Sequence, residues 1–249
     1  MTADRDIDRE TNPADRIARL RIRLPPVNVF RLADLERLAR RVEDCRGAEV
    51  LILSGLPAAF SAGVDVADHV PEADSIERML RAMRLVLEAL VETPALTVAA
   101  VSGACLGGGA EIVSACDLVV AADDARIGFP EIRLACFPPG AVALLPLRIG
   151  SARAWDWILT GRVVSGREAA LAGFATRSVE PGSVDAAAER LANELAAKSS
   201  AATGAVRSLI REERREALAR VLPRAEAAYL RLAGSPDLAK AVAQFLKKN

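Results

Sequence analysis

Apolar positions along the chain switch repeatedly between two periods, and that switching predicts an α/β protein. Ile17 to Leu24 sets apolar residues in turn with Arg19, Arg21 and Arg23, the mark of a strand with one face in solvent, and Pro25-Pro26 ends it. Leu32, Leu35, Leu38, Ala39 and Val42 then fall on one face of a helix. Val50-Leu51-Ile52-Leu53 is a short unbroken apolar run, a buried strand that stops at Ser54-Gly55. A helix follows from Asp74, read as its cap, through Ile76, Met79, Leu80, Met83, Leu87 and Leu90 to just before Pro94. Leu96 to Val101, Asp117 to Ala122 and the segment around Ile127 read as further strands. They lead to the apolar stretch Leu144 to Leu147 and a helix from Ser151 to Leu159, and Ser165 reads as the cap of the next. Val206, Leu209, Ile210, Ala217, Val221, Leu222 and Ala225 make a helical stripe kinked by Pro223, and Pro236 to Leu246 is the last helix.

Two stretches fit neither period. Leu56 to Val66 follows directly on the carboxyl end of a strand, the edge at which open α/β sheets bind ligands, and Gly63 would let it bend and turn the amides around Ala62 into a cleft. Ser102-Gly103-Ala104-Cys105-Leu106-Gly107-Gly108-Gly109-Ala110-Glu111 stands where the strand ending at Val101 becomes a helix over Ala110 to Ala115. Glycines there let a ligand approach main-chain N–H groups, and a helix start leaves those groups unpaired at the positive end of its dipole. That suits a negatively charged oxygen. No Gly-Lys-Ser/Thr follows, and the dinucleotide fingerprint is missing, which leaves two readings: a tight turn that only lets the helix pack closely on the sheet, or an oxyanion hole with a second donor from Leu56 to Val66.

Composition narrows the class. The 249 residues are 51% hydrophobic, enough for one full core, and 33 basic residues balance 33 acidic ones, which gives no electrostatic case for nucleic acid or an anionic membrane. Cys45, Cys105, Cys116 and Cys136 have no metal-like spacing, no signal peptide is evident and no apolar run reaches transmembrane length. A reduced, cytoplasmic protein is expected. Residues 1–14 are dense in charge and predict a mobile tail, residues 15–200 a core, and residues 201–249 a helical C-terminal region.

Phe60-Ser61-Ala62-Gly63-Val64-Asp65, Gly103 to Glu111 followed by Ala115-Cys116-Asp117, and Gly128-Phe129-Pro130-Glu131-Ile132-Arg133-Leu134 together make the chain resemble the crotonase superfamily, the enoyl-CoA hydratase/isomerase family. The resemblance implies a crotonase fold of repeated ββα units in two near-perpendicular sheets, with C-terminal helices that cover an active site and form a homotrimer or a dimer of trimers. It implies an acyl-CoA substrate and no separate cofactor, CoA being part of the substrate. It also implies that the backbone N–H groups of Ala62 and Gly108 hold the thioester oxygen as an enolate forms, with Glu111 and Glu131 as acid and base. Hydration of an α,β-unsaturated acyl-CoA is the leading expectation. Double-bond isomerisation through Glu131 and a non-catalytic acyl-CoA-binding role are the alternatives.

Departures from the family pattern refine this. Phe137-Pro138-Pro139-Gly140 stands where many hydratases have a glycine-rich run, and Pro139 has no N–H to offer, so a stiffer, more apolar pocket is expected, similar to the branch that hydrates cyclic dienoyl-CoA thioesters. Pro57-Ala58 stands where a basic residue commonly meets CoA phosphate. Two expectations follow: another cation such as Arg23 compensates, or the acyl group rides on a protein-bound phosphopantetheine arm. Phe245 and Lys248 match the spacing of an aromatic and a lysine that reach CoA's adenine and phosphate. His69 reads as exposed rather than catalytic, Asp65 as a loop residue, and Trp155 or Trp157 as packing residues, one of which could wall the acyl pocket along with Pro139 and Val142.

Overall fold

The computed structural model describes residues 5–10, 16–66 and 73–247. β1 (Asp6–Glu10) runs antiparallel to β2 (Ile17–Arg23), with Ile7 opposite Ile22. Residues 6–10 were expected in a mobile tail, and there the expectation fails. Ile7 is fully buried in the core, while Asp6 pairs with Arg37 and Asp8 with Arg23. One apolar anchor has no periodicity to read.

β3 (Val29–Phe30), which the pattern did not mark, precedes the amphipathic α1 (Leu32–Glu43) and β4 (Val50–Ser54), which it did. The irregular stretch contains two short strands, β5 (Ala59–Ser61) and β6 (Gly63–Val64). α2 (Ala73–Glu92) takes Asp74 into its first turn rather than leaving it as the cap. β7 (Leu96–Val101), β8 (Ala104–Leu106), α3 (Gly108–Ala115), β9 (Leu118–Ala122) and β10 (Arg126–Gly128) follow. A 3-10 turn, Pro130–Leu134, then enters α4 (Pro139–Ile149), which absorbs Leu144 to Leu147. The chain continues through α5 (Ser151–Thr160), β11 (Val163–Ser165), α6 (Gly166–Ala172), β12 (Arg177–Val179) and α7 (Val184–Ala196). It ends in α8 (Ser200–Arg220), α9 (Leu222–Ala233) and α10 (Pro236–Leu246), the break between α8 and α9 falling just before Pro223.

Six strands form one sheet in the order β1-β2-β4-β7-β9-β12, parallel throughout except at β1. Parallel central strands are covered on both faces, which is why Val50–Ser54 and Leu96–Val101 read as apolar runs without alternation. A second sheet, β11-β10-β8-β5, and the β3-β6 pair carry the segments between strand ends and helices. The α/β architecture expected from the motifs, a largely parallel sheet followed by C-terminal helices, is the one observed. All four cysteines are buried and free. Among the described residues no helix is long and apolar enough to cross a membrane, and no cluster of His, Cys, Asp and Glu could hold a metal ion.

One buried charge ties the C-terminal helices to the sheet. Arg211 of α8 is 1% exposed. Its Nε donates to Asp117 Oδ1 at 2.8 Å, Nη2 to Ala95 O at 2.8 Å and to Asp117 Oδ2, and Nη1 to Thr93 O. Burial works to raise the Asp117 pKa, but the Arg211 hydrogen bonds and charge, the Thr97 amide and Arg214 outweigh it and hold the carboxyl below its ordinary value. Removing one partner of such a pair leaves a buried charge without compensation. Arg211→Ala is therefore expected to destabilise the fold by about 3–5 kcal/mol in urea unfolding. A loss under about 1 kcal/mol would show that solvent reaches Asp117.

Candidate active site

The glycine run is shaped by what must lie against it. Gly107 caps α3 at φ +53° and gives its own N–H to Gly128 O at 2.9 Å, so the first unpaired amide of the helix is that of Gly108. A Cβ on Gly107 would stand 2.8 Å from Glu131 Oε1, and one on Gly108 would stand 2.8 Å from Met83 Cε and Val64 Cγ2. Neither position has room for a side chain. Glycine here brings the start of α3 into contact with β6, α2 and the 3-10 turn at once.

Ala62 was expected to supply the second donor, and the structure corrects this. Its N–H donates to Val27 O at 2.9 Å, so it is spent within the loop. Gly63 N–H bonds Ser61 Oγ at 3.0 Å and Asp65 N–H bonds Phe30 O at 2.8 Å on the β3 side. Alternation along β6 turns the intervening Val64 N–H the other way, toward α3. Val64 N lies 3.7 Å from where a Gly108 Cβ would be. The pair of amides that meets across the cleft is Val64 and Gly108. Sequence spacing missed this because the choice depends on which amides β3 consumes. Asn28, fully buried at φ +53°, fixes that choice: its Nδ2 donates to Ile22, Ala59 and Phe60 carbonyls, each at 3.0 Å, and its own carbonyl accepts from Ser61 Oγ at 2.7 Å.

These amides line a cavity of about 320 Å³ that also takes in Glu111 and Glu131. Glu111 lies one turn beyond Gly108 and is 5% exposed. Its Oε1 accepts from Gly140 N at 2.6 Å and Ala141 N at 3.1 Å, the first free amides of α4. The N–H that Pro139 lacks is not missed, because proline opens that helix and the next two amides do the holding. Burial raises the Glu111 pKa to about 7 against the opposing pull of these two amides. Glu131 follows Pro130 in the 3-10 turn, and its Oε2 is buried without a hydrogen-bond partner. Burial first, and the neighbouring Glu111 charge second, push the Glu131 carboxyl well above the usual range.

The remaining walls are apolar: Met79, Leu80 and Met83 of α2, Phe137, Pro138 and Pro139, and Phe245 of α10. Tyr229 of α9 closes one side, its ring edge-on to Phe137 at 5.7 Å. Phe245 thus belongs to the cavity, while Lys248 and His69 lie outside the described residues. Trp155 and Trp157 do not wall it, since Trp155 is 66% exposed and Trp157 packs on Phe174. Val142 is absent from the lining, and Asp65 sits in the loop 3.9 Å from Arg31. Arg23 is paired with Asp8 on β2 and is not among the lining residues. Arg84 and Glu226, an ion pair on the wall, gave no signal in the sequence because they sit 142 positions apart.

The Glu111 pKa has a consequence for stability that carries a definite sign. Folding raises it from 4.5 to about 7, so between these values the folded state binds more protons than the unfolded one. Stability from this group is full below pH 4.5 and is lost as pH rises to about 7. Glu111→Gln should flatten the decline in urea midpoint between pH 5 and pH 7.5, at roughly constant m. An unchanged slope would mean the carboxyl is ionised throughout.

The enoyl-CoA hydratase/isomerase family model matches residues 13–249. Cyclohexa-1,5-dienecarbonyl-CoA hydratase of Thauera aromatica is 33% identical over 239 residues, 93% of this chain and 90% of that one. A probable enoyl-CoA hydratase of Bacillus subtilis is 35% identical over 61% of this chain and 62% of its own. An enoyl-CoA hydratase/isomerase structure from Pseudoalteromonas atlantica superposes with a TM-score of 0.84 at 27% identity, covering 98% of this chain and 97% of that one. The match takes in every element from β2 to the last helix, and with it the whole cavity: the protein belongs to the enoyl-CoA hydratase/isomerase family.

Proposed function

We propose that the protein adds water across the double bond of an α,β-unsaturated acyl-CoA, with Val64 and Gly108 as oxyanion donors and Glu111 and Glu131 as base and acid. The observation that carries the reading is the pair of buried carboxyls with unequal surroundings on one cavity with the Gly108 amide. Glu111, near pKa 7 and steadied by two amides, is ionised often enough at neutral pH to take a proton from water. Glu131, whose carboxyl is also raised, by burial first and the Glu111 charge second, is the acid in this reading. The water oxygen bonds the β-carbon and the π pair moves toward the thioester oxygen. The enolate so formed is held by the two main-chain donors in a site with few competing waters. Glu131 then protonates the α-carbon, and the proton on Glu111 restores the pair through solvent. The thioester bond stays intact, so CoA enters with the substrate and leaves with the hydroxyacyl product, and the proposed steps call on no further cofactor.

The cavity's volume of about 320 Å³ and its Phe137-Pro138-Pro139 wall support a short or ring-shaped acyl group. The resemblance to a hydratase named for a cyclohexadiene thioester puts that substrate first in a panel with straight-chain enoyl-CoAs. Glu111→Gln and Glu131→Gln are each expected to lower kcat about 10²- to 10⁴-fold. The acid limb of the wild-type kcat/KM profile, near pH 7, should vanish in Glu111→Gln. Retained double-bond isomerisation in Glu111→Gln, with no hydration in the wild type, would instead make Glu131 the main proton carrier of an isomerase. No turnover of any panel member would leave only a binding role.

We also propose that copies of this chain associate through α8, whose Val206, Leu209 and Ile210 are more than half exposed. Light scattering is expected to give a trimer or hexamer that Ile210→Glu shifts toward monomer. A wild-type monomer at micromolar concentration would refute this.

A further inference from the structure

We infer that the cavity is built for an uncharged acyl group, and that the ion pair of Glu226 with Arg84 sets this selectivity by withdrawing the one cation among the described lining residues that could meet an acyl carboxylate. The inference rests on the acyl-CoA reading above and concerns the same cavity.

Leu222, Glu226 and Tyr229 are spaced four and three residues apart on α9, so they share the face that lines the cavity. The Glu226 side chain is 6% exposed and is gripped at both oxygens by Arg84 of α2: Nε donates to Oε1 at 3.0 Å and Nη2 donates to Oε2. Among the described lining residues Arg84 is the only cation, whereas Glu111, Glu131 and Glu226 are all acids. The guanidinium's fork is therefore already matched to a carboxylate of the protein itself. An incoming carboxylate would be stripped of water in an apolar chamber, beside two glutamates and with no unengaged positive partner. A neutral acyl group pays no such penalty.

The chamber thus disfavours a charged acyl group by offering it no counter-charge once its water is stripped. If Glu226 were neutral, Arg84, which is 38% exposed and can swing on its stem, would be released to face the cavity. The chamber would then hold a cation suited to an acid-bearing acyl chain.

Calorimetric binding of two saturated thioesters, butyryl-CoA and glutaryl-CoA, tests this without any need for turnover. Wild type should bind butyryl-CoA at least about tenfold more tightly than glutaryl-CoA, and Glu226→Gln should narrow that ratio about tenfold or more. The double variant Arg84→Met/Glu226→Gln should restore the discrimination, which a merely loosened helix would not do. Thermal unfolding of each variant confirms that it folds. Equal binding of the two thioesters by wild type, or an unchanged ratio in Glu226→Gln, overturns the inference alone. Binding of neither overturns the acyl-CoA reading and this inference with it.

Discussion

Everything at the cavity depends on two helix starts aimed at one small apolar volume. α3 opens with the Gly108 amide unpaired, and α4 opens with Gly140 and Ala141 donating to Glu111. Glu111 belongs to the first helix and is held by the second, so the contact that prepares the carboxyl also locks α3 to α4. The opposite end of α3 is treated with matching care. Arg148 Nη1 donates to Cys116 O at 2.7 Å and to Ser114 O at 3.2 Å, and Arg214 reaches Cys116 O at 3.2 Å. Burial lowers the Arg148 pKa to about 10, yet it remains a cation at neutral pH and complements the negative end of the helix.

A second apolar cluster covers the chamber. Ile76, Met79 and Leu80 of α2 pack with Cys136 and with Tyr229, Ala233, Leu238 and Val242 of the last two helices. This cluster stands apart from the main core, and its purpose is legible in the carboxyls beneath it. Without that cover, water would solvate Glu131, whose buried Oε2 has no hydrogen-bond partner, and its pKa would relax toward 4.5. Covering the site and tuning its acids are one physical act. Two polar groups on this roof are engaged within the protein: Glu226 by Arg84, and Cys136 Sγ with the Glu131 carbonyl at 3.4 Å.

Much of this was readable from residue order alone. Local period assigned β2, α1, β4, β7 and α2, and the glycine run together with Glu111, Glu131 and Gly108 marked the cleft. Each is a signal within one turn or one strand, where covalent spacing dictates direction. The same reasoning misplaced the second donor at Ala62, because an amide's availability is settled by its hydrogen-bond partner, and Val27 lies 35 positions earlier.

Residue order therefore determined the alternation of strand and helix, the family, and two acids beside a run of glycines, since these follow from spacing along one segment. Tertiary structure alone decided that Ile7 anchors a strand, that Val64 rather than Ala62 faces Gly108, that α4 holds Glu111, and that Arg84 is spent on Glu226. In each case a group's fate depends on which distant atom takes its hydrogen bond or displaces its water. Only the folded chain brings those atoms within about 3 Å of one another.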